Sequence, residues 1–177
     1  MKNIVLIGFM GTGKTSVGRL LAARLNRQFV DIDKKIEIEN KMSVSEIFEL
    51  HGEHHFRQLE SEVIKKVARQ TNVVIATGGG AVLRRENRLS LRKNGLIVSL
   101  SADLDTIAER TAPSLNRPLL EVGDKKKAIA SLLAKRASLY EQADYLIDTS
   151  GYSPQYVTEK IIVFLREGGY LRGRSFS

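Results

Sequence analysis

Five short apolar runs recur along the chain, separated by longer amphipathic stretches. The runs cover residues 3–8, 28–32, 73–77, 96–100 and 145–147. The first, third and fourth are nearly continuous in isoleucine, valine and leucine, which is typical of parallel strands buried on both faces. Strands that alternate with helices in this way predict a three-layer α/β fold around a five-stranded parallel sheet.

The size of the chain limits the number of domains. Its 177 residues, 42% of them hydrophobic, suffice for one core but not for two ordinary domains, so we expect a single domain over residues 1–177. No apolar run approaches the roughly 18 residues of a membrane helix, and the N-terminus lacks an export-signal pattern. The expected location is therefore the cytoplasm. The absence of cysteine excludes disulfides, thiolate metal sites and cysteine nucleophiles.

The formal net charge of +8 is compatible with a nucleic-acid binder, a membrane-surface protein or an enzyme for acidic ligands. Lysines and arginines are spread over the helical stretches, with short clusters at residues 84–85 and 125–127. No aromatic residues are interleaved with them, as a stacking platform for bases would require. We interpret most of the charge as solvated helix faces, and expect a monomer without nucleic-acid or membrane partners.

Three segments depart from the simple alternation of strands and helices. About forty residues separate the second and third strands, more than a crossover needs, and this helical insert (about 33–70) predicts a substrate site. It contains a capping-box pattern, Ser43 with Glu46, and a second helical pattern over 53–69. From about 111 to 123, Pro113 and Pro118 help to break the helical pattern, which predicts a mobile lid. The end, about 168–177, is expected to be a flexible tail.

A glycine-rich motif follows the first strand. Residues 8–15 match G-x-x-x-x-G-K-[ST] between a buried strand and a helix expected from Lys14 to about Leu25. In such a P-loop, backbone N–H groups and the helix N-terminus bind the phosphates of ATP, the lysine reaches the β- and γ-phosphates, and the Thr15 hydroxyl is a ligand of Mg²⁺. The alternative is a glycine-rich turn without a ligand. The predicted phosphate-binding residues are Gly11, Thr12, Gly13, Lys14, Thr15 and Ser16.

The second strand is expected to end in Val30-Asp31-Ile32-Asp33, with two aspartates. With the alternation of a strand, Asp31 and Asp33 are expected on one face at its carboxyl end, where open parallel sheets bind their ligands. One carboxylate can hold Mg²⁺ through water, and the other can accept a hydrogen bond from an acceptor hydroxyl. The alternative is a pair of solvated or helix-capping aspartates, since a helix can begin near Asp33.

Three consecutive glycines, residues 78–80, follow the third strand. They allow backbone N–H groups to approach a ligand where no side chain fits, although glycine runs also occur in ordinary turns. This strand lacks the aspartate that many P-loop ATPases have at its end. Asp31 is therefore the better candidate for the metal carboxylate.

Several arginines are candidates for binding an anionic acceptor. Arg57 and Glu60 are spaced i, i+3 on the insert, so the carboxylate can hold the guanidinium in position. Arg136 lies in a later helix, and Arg117 lies in the predicted lid, from which it could neutralise charge on the transferred phosphoryl group. Taken singly, each could instead form a surface ion pair.

The histidines at positions 51, 54 and 55 form a cluster on the insert. A metal site is not favoured, because Gly52 interrupts the helical spacing of His51 and His55 and a third ligand is lacking. We interpret the cluster as solvated or partly packed.

The same motifs, in the same order, are found in shikimate kinases, and the chain resembles that family from the first strand to about residue 165. The resemblance rests on residues 8–15, Asp31 with Asp33, Phe56-Arg57 with Glu60, Thr77 with residues 78–80, residues 116–120, and Arg136 followed by Leu139-Tyr140.

The resemblance implies a fold, a reaction and an acceptor site. The fold would be that of nucleoside monophosphate kinases, with strand order 2-3-1-4-5. The reaction would be ATP-dependent phosphorylation of the 3-hydroxyl of shikimate, in aromatic amino-acid biosynthesis. The residues that would bind shikimate are Asp33, Arg57, Gly79, Gly80 and Arg136, with the two arginines on its carboxylate and Asp33 on its hydroxyls.

The resemblance also implies roles on the nucleotide side. Asp31 would serve Mg²⁺ through water, and Arg117 would be the lid arginine beside the transferred phosphoryl group. Arg110 would lie against the adenine, and the loop around Ser153 and Pro154 would close over the base. Catalysis would rest on Lys14, Asp33 and Arg117 in a direct in-line transfer.

Other functions remain open at the level of sequence. Another P-loop metabolite kinase, such as one for gluconate, would also act on an anionic polyol. A nucleotide-dependent switch would need an aspartate after the third strand and an N-K-x-D motif, and a nucleic-acid-dependent ATPase would need a clustered basic face with aromatics; the chain has none of these.

Overall fold

The computed structural model of the protein describes residues 1–112 and 125–171. The strands are β1 (Asn3–Ile7), β2 (Gln28–Asp31), β3 (Val73–Ala76), β4 (Gly95–Ser101) and β5 (Tyr145–Asp148). The helices are α1 (Lys14–Leu25), α2 (Ile32–Asn40), α3 (Val44–Val67), α4 (Arg85–Asn94), α5 (Leu104–Thr111), α6 (Lys125–Tyr140) and α7 (Pro154–Glu167). A short 3-10 turn, Ala81–Leu83, follows the triple glycine.

The five strands form one parallel sheet in the order β2-β3-β1-β4-β5. The expected strand order is confirmed, and the continuous apolar runs are buried as predicted: every residue of β1 and β3 is inaccessible to solvent or nearly so. Because all strands point the same way, their carboxyl ends meet at one edge of the sheet. The loops that follow β1, β2, β3 and β5 are therefore neighbours.

Apolar side chains cover both faces of the sheet. On one face, Leu21 of α1 and Ile161 of α7 pack against Leu6 and Val98. On the other face, α3, α4 and α6 pack against Val5, Ile7 and Ile75. This arrangement is the predicted three-layer α/β fold. Because helices pack on both faces of the sheet, the positions of the glycine-rich loops after β1 and β3 are fixed.

The helical insert consists of α2 and α3, which pack against each other and join the core through Ile36 and Ile47. The capping box is confirmed: the Ser43 hydroxyl accepts from the Glu46 backbone at 3.2 Å, and the Ser43 backbone donates to the Glu46 carboxylate at 2.7 Å. A kink divides α3 at Gly52, whose φ of 78° lies outside the helical region. The insert therefore presents two helical halves to the sheet edge.

The predicted lid and tail fall largely where no structure is described. Residues 113–123 of the lid, including Arg117, and residues 172–177 of the tail lie outside the described residues. Within the parts that are described, α7 ends at Glu167. No helix in 1–112 or 125–171 has the length and apolar character needed to span a bilayer.

Candidate active site

The loop between β1 and α1 has a backbone that requires glycine. Gly8 has a φ of 145°, and a Cβ there would collide with the Leu100 carbonyl oxygen. Gly11 and Gly13 have φ values of 79° and 94°, which other residues rarely adopt. The Nζ of Lys14 donates to the carbonyls of Gly8 at 2.7 Å and Phe9 at 2.8 Å, so its charge is held over the loop.

Thr15 and Asp31 are joined directly. The Thr15 hydroxyl donates to Oδ2 of Asp31 at 2.8 Å, and the other oxygen of Asp31 accepts from the backbone N–H of Lys34 at 3.2 Å. Asp31 is therefore the N-cap of α2 as well as the neighbour of the P-loop hydroxyl. A hydroxyl and a carboxylate side by side at this edge are oxygen donors of the kind that Mg²⁺ prefers, so the residues present fit that ion.

The prediction that Asp33 belongs to the second strand, on the same strand face as Asp31, is wrong. β2 ends at Asp31, and Asp33 lies in the first turn of α2. The physical reason is the cap itself, because the Asp31 side chain satisfies a backbone donor and begins the helix there. Asp33 nevertheless faces the same cleft as Asp31, since the first turn of α2 starts at the sheet edge.

A cleft of about 250 Å³ opens over the P-loop. Thr12 is buried and does not line this cleft; its hydroxyl donates to the Phe9 carbonyl at 2.8 Å. Pro154 is exposed at the first position of α7 and does not line this cleft. The lining consists of glycines, hydroxyls and charged groups: Gly11, Gly13, Lys14, Thr15, Ser16, Asp31, Asp33, Thr77, Gly78, Gly79 and Arg110.

Arg110 closes one side of this cleft. Its Nη1 donates to the Gly11 carbonyl at 3.2 Å and to the Thr149 hydroxyl at 3.1 Å, and its Nη2 donates to the Thr149 carbonyl at 3.1 Å. The guanidinium is therefore fixed in direction although the residue is exposed.

A second cavity of about 370 Å³ adjoins the cleft and lies between the insert and the sheet edge. Arg57 and Arg136 line it, and both side chains are almost fully enclosed. The two cavities share a set of lining residues at their junction: Thr15, Asp31, Asp33, Gly78 and Gly79.

Arg57 is held by two carboxylates of its own helix. Its Nη1 donates to Oε2 of Glu60 at 2.9 Å, and its Nη2 donates to Glu53 at 3.3 Å. The predicted i, i+3 pairing with Glu60 is confirmed. Glu60 is completely buried, and burial raises the pKa of its carboxyl, against the opposing effect of the Arg57 guanidinium and with a further contribution from Asp33.

Arg136 has a different environment. Its guanidinium lies 5.7 Å from the centre of the Phe9 ring, in cation–π contact, and beside the Tyr140 hydroxyl. Among residues 1–112 and 125–171, no carboxylate lies within ion-pair distance of it. A nearly buried cation without an anionic neighbour in this part of the chain suits an anionic ligand.

The triple glycine lies between these groups. The Tyr140 hydroxyl donates to the Gly79 carbonyl at 2.6 Å, and burial raises the pKa of Tyr140, which keeps the hydroxyl a donor. A Cβ on Gly78 would lie 2.7 Å from Oδ1 of Asp33. A Cβ on Gly80 would lie 2.6 Å from Cζ of Arg57. A side chain at Gly78 or Gly80 would therefore displace the Asp33 carboxylate or the Arg57 guanidinium from its present position.

Most of the site residues expected from the sequence lie together in these two cavities. Arg117 lies outside the described residues. The His51 and His55 rings lie on the insert with their centres 5.0 Å apart and their planes tilted by 51°, and no group of three metal-ligating side chains exists in the described ranges.

Two residues contribute to the site although the sequence patterns do not indicate them. Thr149 holds Arg110, and Phe9 lies against Arg136. Thr149 could have been found from its place directly after the last strand, at the ligand-binding edge of the sheet. Phe9 has no comparable signal, because its partner is far away in the sequence.

The fold and these adjoining cavities define the chain as a P-loop kinase with a helical insert. The family model for shikimate kinase matches residues 10–166. A shikimate kinase of Thermodesulfovibrio yellowstonii is 54% identical over 92% of this chain and 94% of its own length. One from Pelotomaculum thermopropionicum is 46% identical over 97% and 99%.

Solved structures agree with these matches. The shikimate kinase of Acinetobacter baumannii, in complex with shikimate, is 37% identical, with a TM-score of 0.92 over 95% of this chain and 94% of that one. The chain belongs to the shikimate kinase family. This membership distinguishes it from the gluconate-kinase alternative that the sequence motifs left open.

Proposed function

We propose that the protein transfers the γ-phosphoryl group of ATP to the 3-hydroxyl of shikimate, giving ADP and shikimate 3-phosphate, in aromatic amino-acid biosynthesis. The observation that most supports this is the junction of the two cavities at Asp33 and Gly79. A donor phosphate over the P-loop and an acceptor beside Arg57 and Arg136 would meet there. The chain would act as a single domain and a monomer in the cytoplasm.

On the acceptor side, the two arginines would bind the shikimate carboxylate. Arg57 presents a guanidinium oriented by Glu60, and Arg136 presents one that has no carboxylate neighbour among the described residues. Asp33 would accept hydrogen bonds from the shikimate hydroxyls and orient the attacking oxygen. Gly79 and Gly80 would let the acceptor approach the backbone closely.

On the donor side, the P-loop amides and Lys14 would hold the phosphates in line with the acceptor. Thr15 and Asp31 would hold Mg²⁺, which when bound supplies positive charge to the phosphate oxygens. Arg117 would add charge from the lid, Arg110 would lie against the adenine, and the loop at Pro154 would close over the base. The transfer would be direct and in line, with positioning and charge neutralisation supplying most of the acceleration.

The reaction is tested by measuring ADP release from the purified protein with Mg-ATP and shikimate, gluconate or no acceptor. We expect release that depends on shikimate, together with one equivalent of shikimate 3-phosphate. Release only with gluconate, or release that is independent of acceptor, would leave the P-loop assignment intact and contradict the roles of Asp33, Arg57 and Arg136.

The substitution Gly80→Ala is expected to raise the KM for shikimate roughly tenfold, because it displaces a charged hydrogen-bond donor. Its Cβ would lie 2.6 Å from Cζ of Arg57, and the φ of −90° at Gly80 suits alanine, so the effect is steric at the guanidinium. Steady-state kinetics with varied shikimate measure this change.

The matched control is Gly169→Ala, which costs stability through its φ of 69° while its Cβ meets no atom within 4 Å. Its KM for shikimate should match that of the unmodified protein. If both variants lose stability and neither changes the KM, Gly80 has no part in placing Arg57.

A further inference from the structure

Thr149 directly follows β5, at the same edge of the sheet as the P-loop, and it is only 2% exposed. Its hydroxyl oxygen lies 3.0 Å from the Thr12 carbonyl oxygen, 3.0 Å from the Ser101 carbonyl oxygen and 3.1 Å from Nη1 of Arg110. A single buried hydroxyl thus touches the P-loop, the end of β4 and the side chain of α5 that closes the cleft.

A threonine hydroxyl has one proton to donate, so its two carbonyl neighbours compete for it. The Ser101 carbonyl already accepts the backbone N–H of Thr149 at 2.8 Å. The hydroxyl proton is therefore better used at the Thr12 carbonyl, while a lone pair of the same oxygen accepts from Arg110.

The bond to Thr12 has a consequence for the P-loop. The peptide between Thr12 and Gly13 is planar and trans, so its C=O and N–H point in opposite directions. Holding the carbonyl toward Thr149 turns the Gly13 N–H away from Thr149. Gly13 lines the cleft, and inward-pointing amides of this loop are the groups that bind phosphate.

The bonds to Arg110 have a consequence for the other end of the nucleotide. The hydroxyl and the carbonyl of Thr149 hold the two terminal nitrogens of the guanidinium, and the Gly11 carbonyl provides the third contact. Without the hydroxyl, Nη1 would keep only its bond to Gly11, and the plane of the guanidinium would be less defined.

We propose that the Thr149 hydroxyl is a positioning group for the nucleotide, which fixes the Gly13 amide at the phosphates and the Arg110 side chain at the base relative to each other. The proposal rests on the proposed function, in which ATP lies with its phosphates on the P-loop and its base against Arg110. Thr149 acts through these groups and touches no substrate itself.

The test compares Thr149→Val, which keeps the shape and removes the hydroxyl, with Thr149→Ser, which keeps the hydroxyl. Calorimetry measures the binding of ADP and of tripolyphosphate, a probe without a base. We expect the valine variant to bind ADP roughly tenfold more weakly and tripolyphosphate several-fold more weakly, the loss of one or two hydrogen bonds. The serine variant should recover most of both affinities, and the KM for shikimate should stay unchanged in both.

Equal ADP affinity in the valine variant and the unmodified protein would overturn the proposal, as would a serine variant that is as impaired as the valine one. Weakened ADP binding with unchanged tripolyphosphate binding would also overturn it, because the hydroxyl would then act on Arg110 alone. The binding measurements need no acceptor. A protein that binds ADP but does not phosphorylate shikimate would therefore contradict the proposed function without deciding the role of Thr149.

Discussion

Replacing Lys14 by methionine should lower kcat for shikimate-dependent ADP release by roughly 100- to 1000-fold, the usual cost of removing one donor aimed at developing charge. The Nζ of Lys14 is held by the Gly8 and Phe9 carbonyls, so its charge is already placed over the loop before reaction. Methionine fills similar space without charge, and the KM for shikimate should change little because the arginines lie in the other cavity.

The matched control is Lys66→Met. Lys66 lies on the outer side of α3, is exposed, and reaches Glu39 at 3.6 Å in a surface ion pair. Its kcat should stay within about twofold, as for most surface substitutions. A kcat for the Lys14 variant within tenfold of the unmodified protein would show that the lysine does not stabilise the transferred group.

The framework of this site could be predicted because it depends on local sequence. Burial of β1 and β3 appears as continuous apolar runs, and the P-loop pattern is confined to residues 8–15. The pairing of Arg57 with Glu60 follows from helical spacing alone. Interactions whose partners lie within a few positions of each other leave a pattern in the sequence itself.

Contacts between distant residues could not be predicted in this way. The hydrogen bond from Thr149 to Thr12 spans 137 positions, and that from Tyr140 to Gly79 spans 61. The error over Asp33 has a different cause, because a helix cap at Asp31 replaced the strand geometry that the alternation assumed. Side-chain capping competes with strand formation at the very position where the motif lies.

Replacing Arg136 by methionine should raise the KM for shikimate roughly 30- to 100-fold, with a smaller fall in kcat, because charged hydrogen bonds to the carboxylate are lost. The KM for shikimate of Arg136→Lys should lie between those of Arg136→Met and the unmodified protein, since lysine keeps the charge but lacks the planar guanidinium. With shikimate methyl ester as acceptor, the difference between Arg136→Met and the unmodified protein should largely disappear. A difference that persists with the ester would mean that Arg136 does not bind the shikimate carboxylate.

Stability measurements separate the two arginines further. Arg136 has no carboxylate neighbour among the described residues, so an apolar replacement leaves no buried charge behind and should not lower Tm. Arg57→Met would leave the buried Glu60 carboxylate without its ion-pair partner and should lower the free energy of unfolding by about 3 kcal/mol. Both variants should bind shikimate weakly, yet only the second should unfold early. A Tm for Arg136→Met well below that of the unmodified protein would mean that Arg136 stabilises the fold and is not reserved for an anionic ligand.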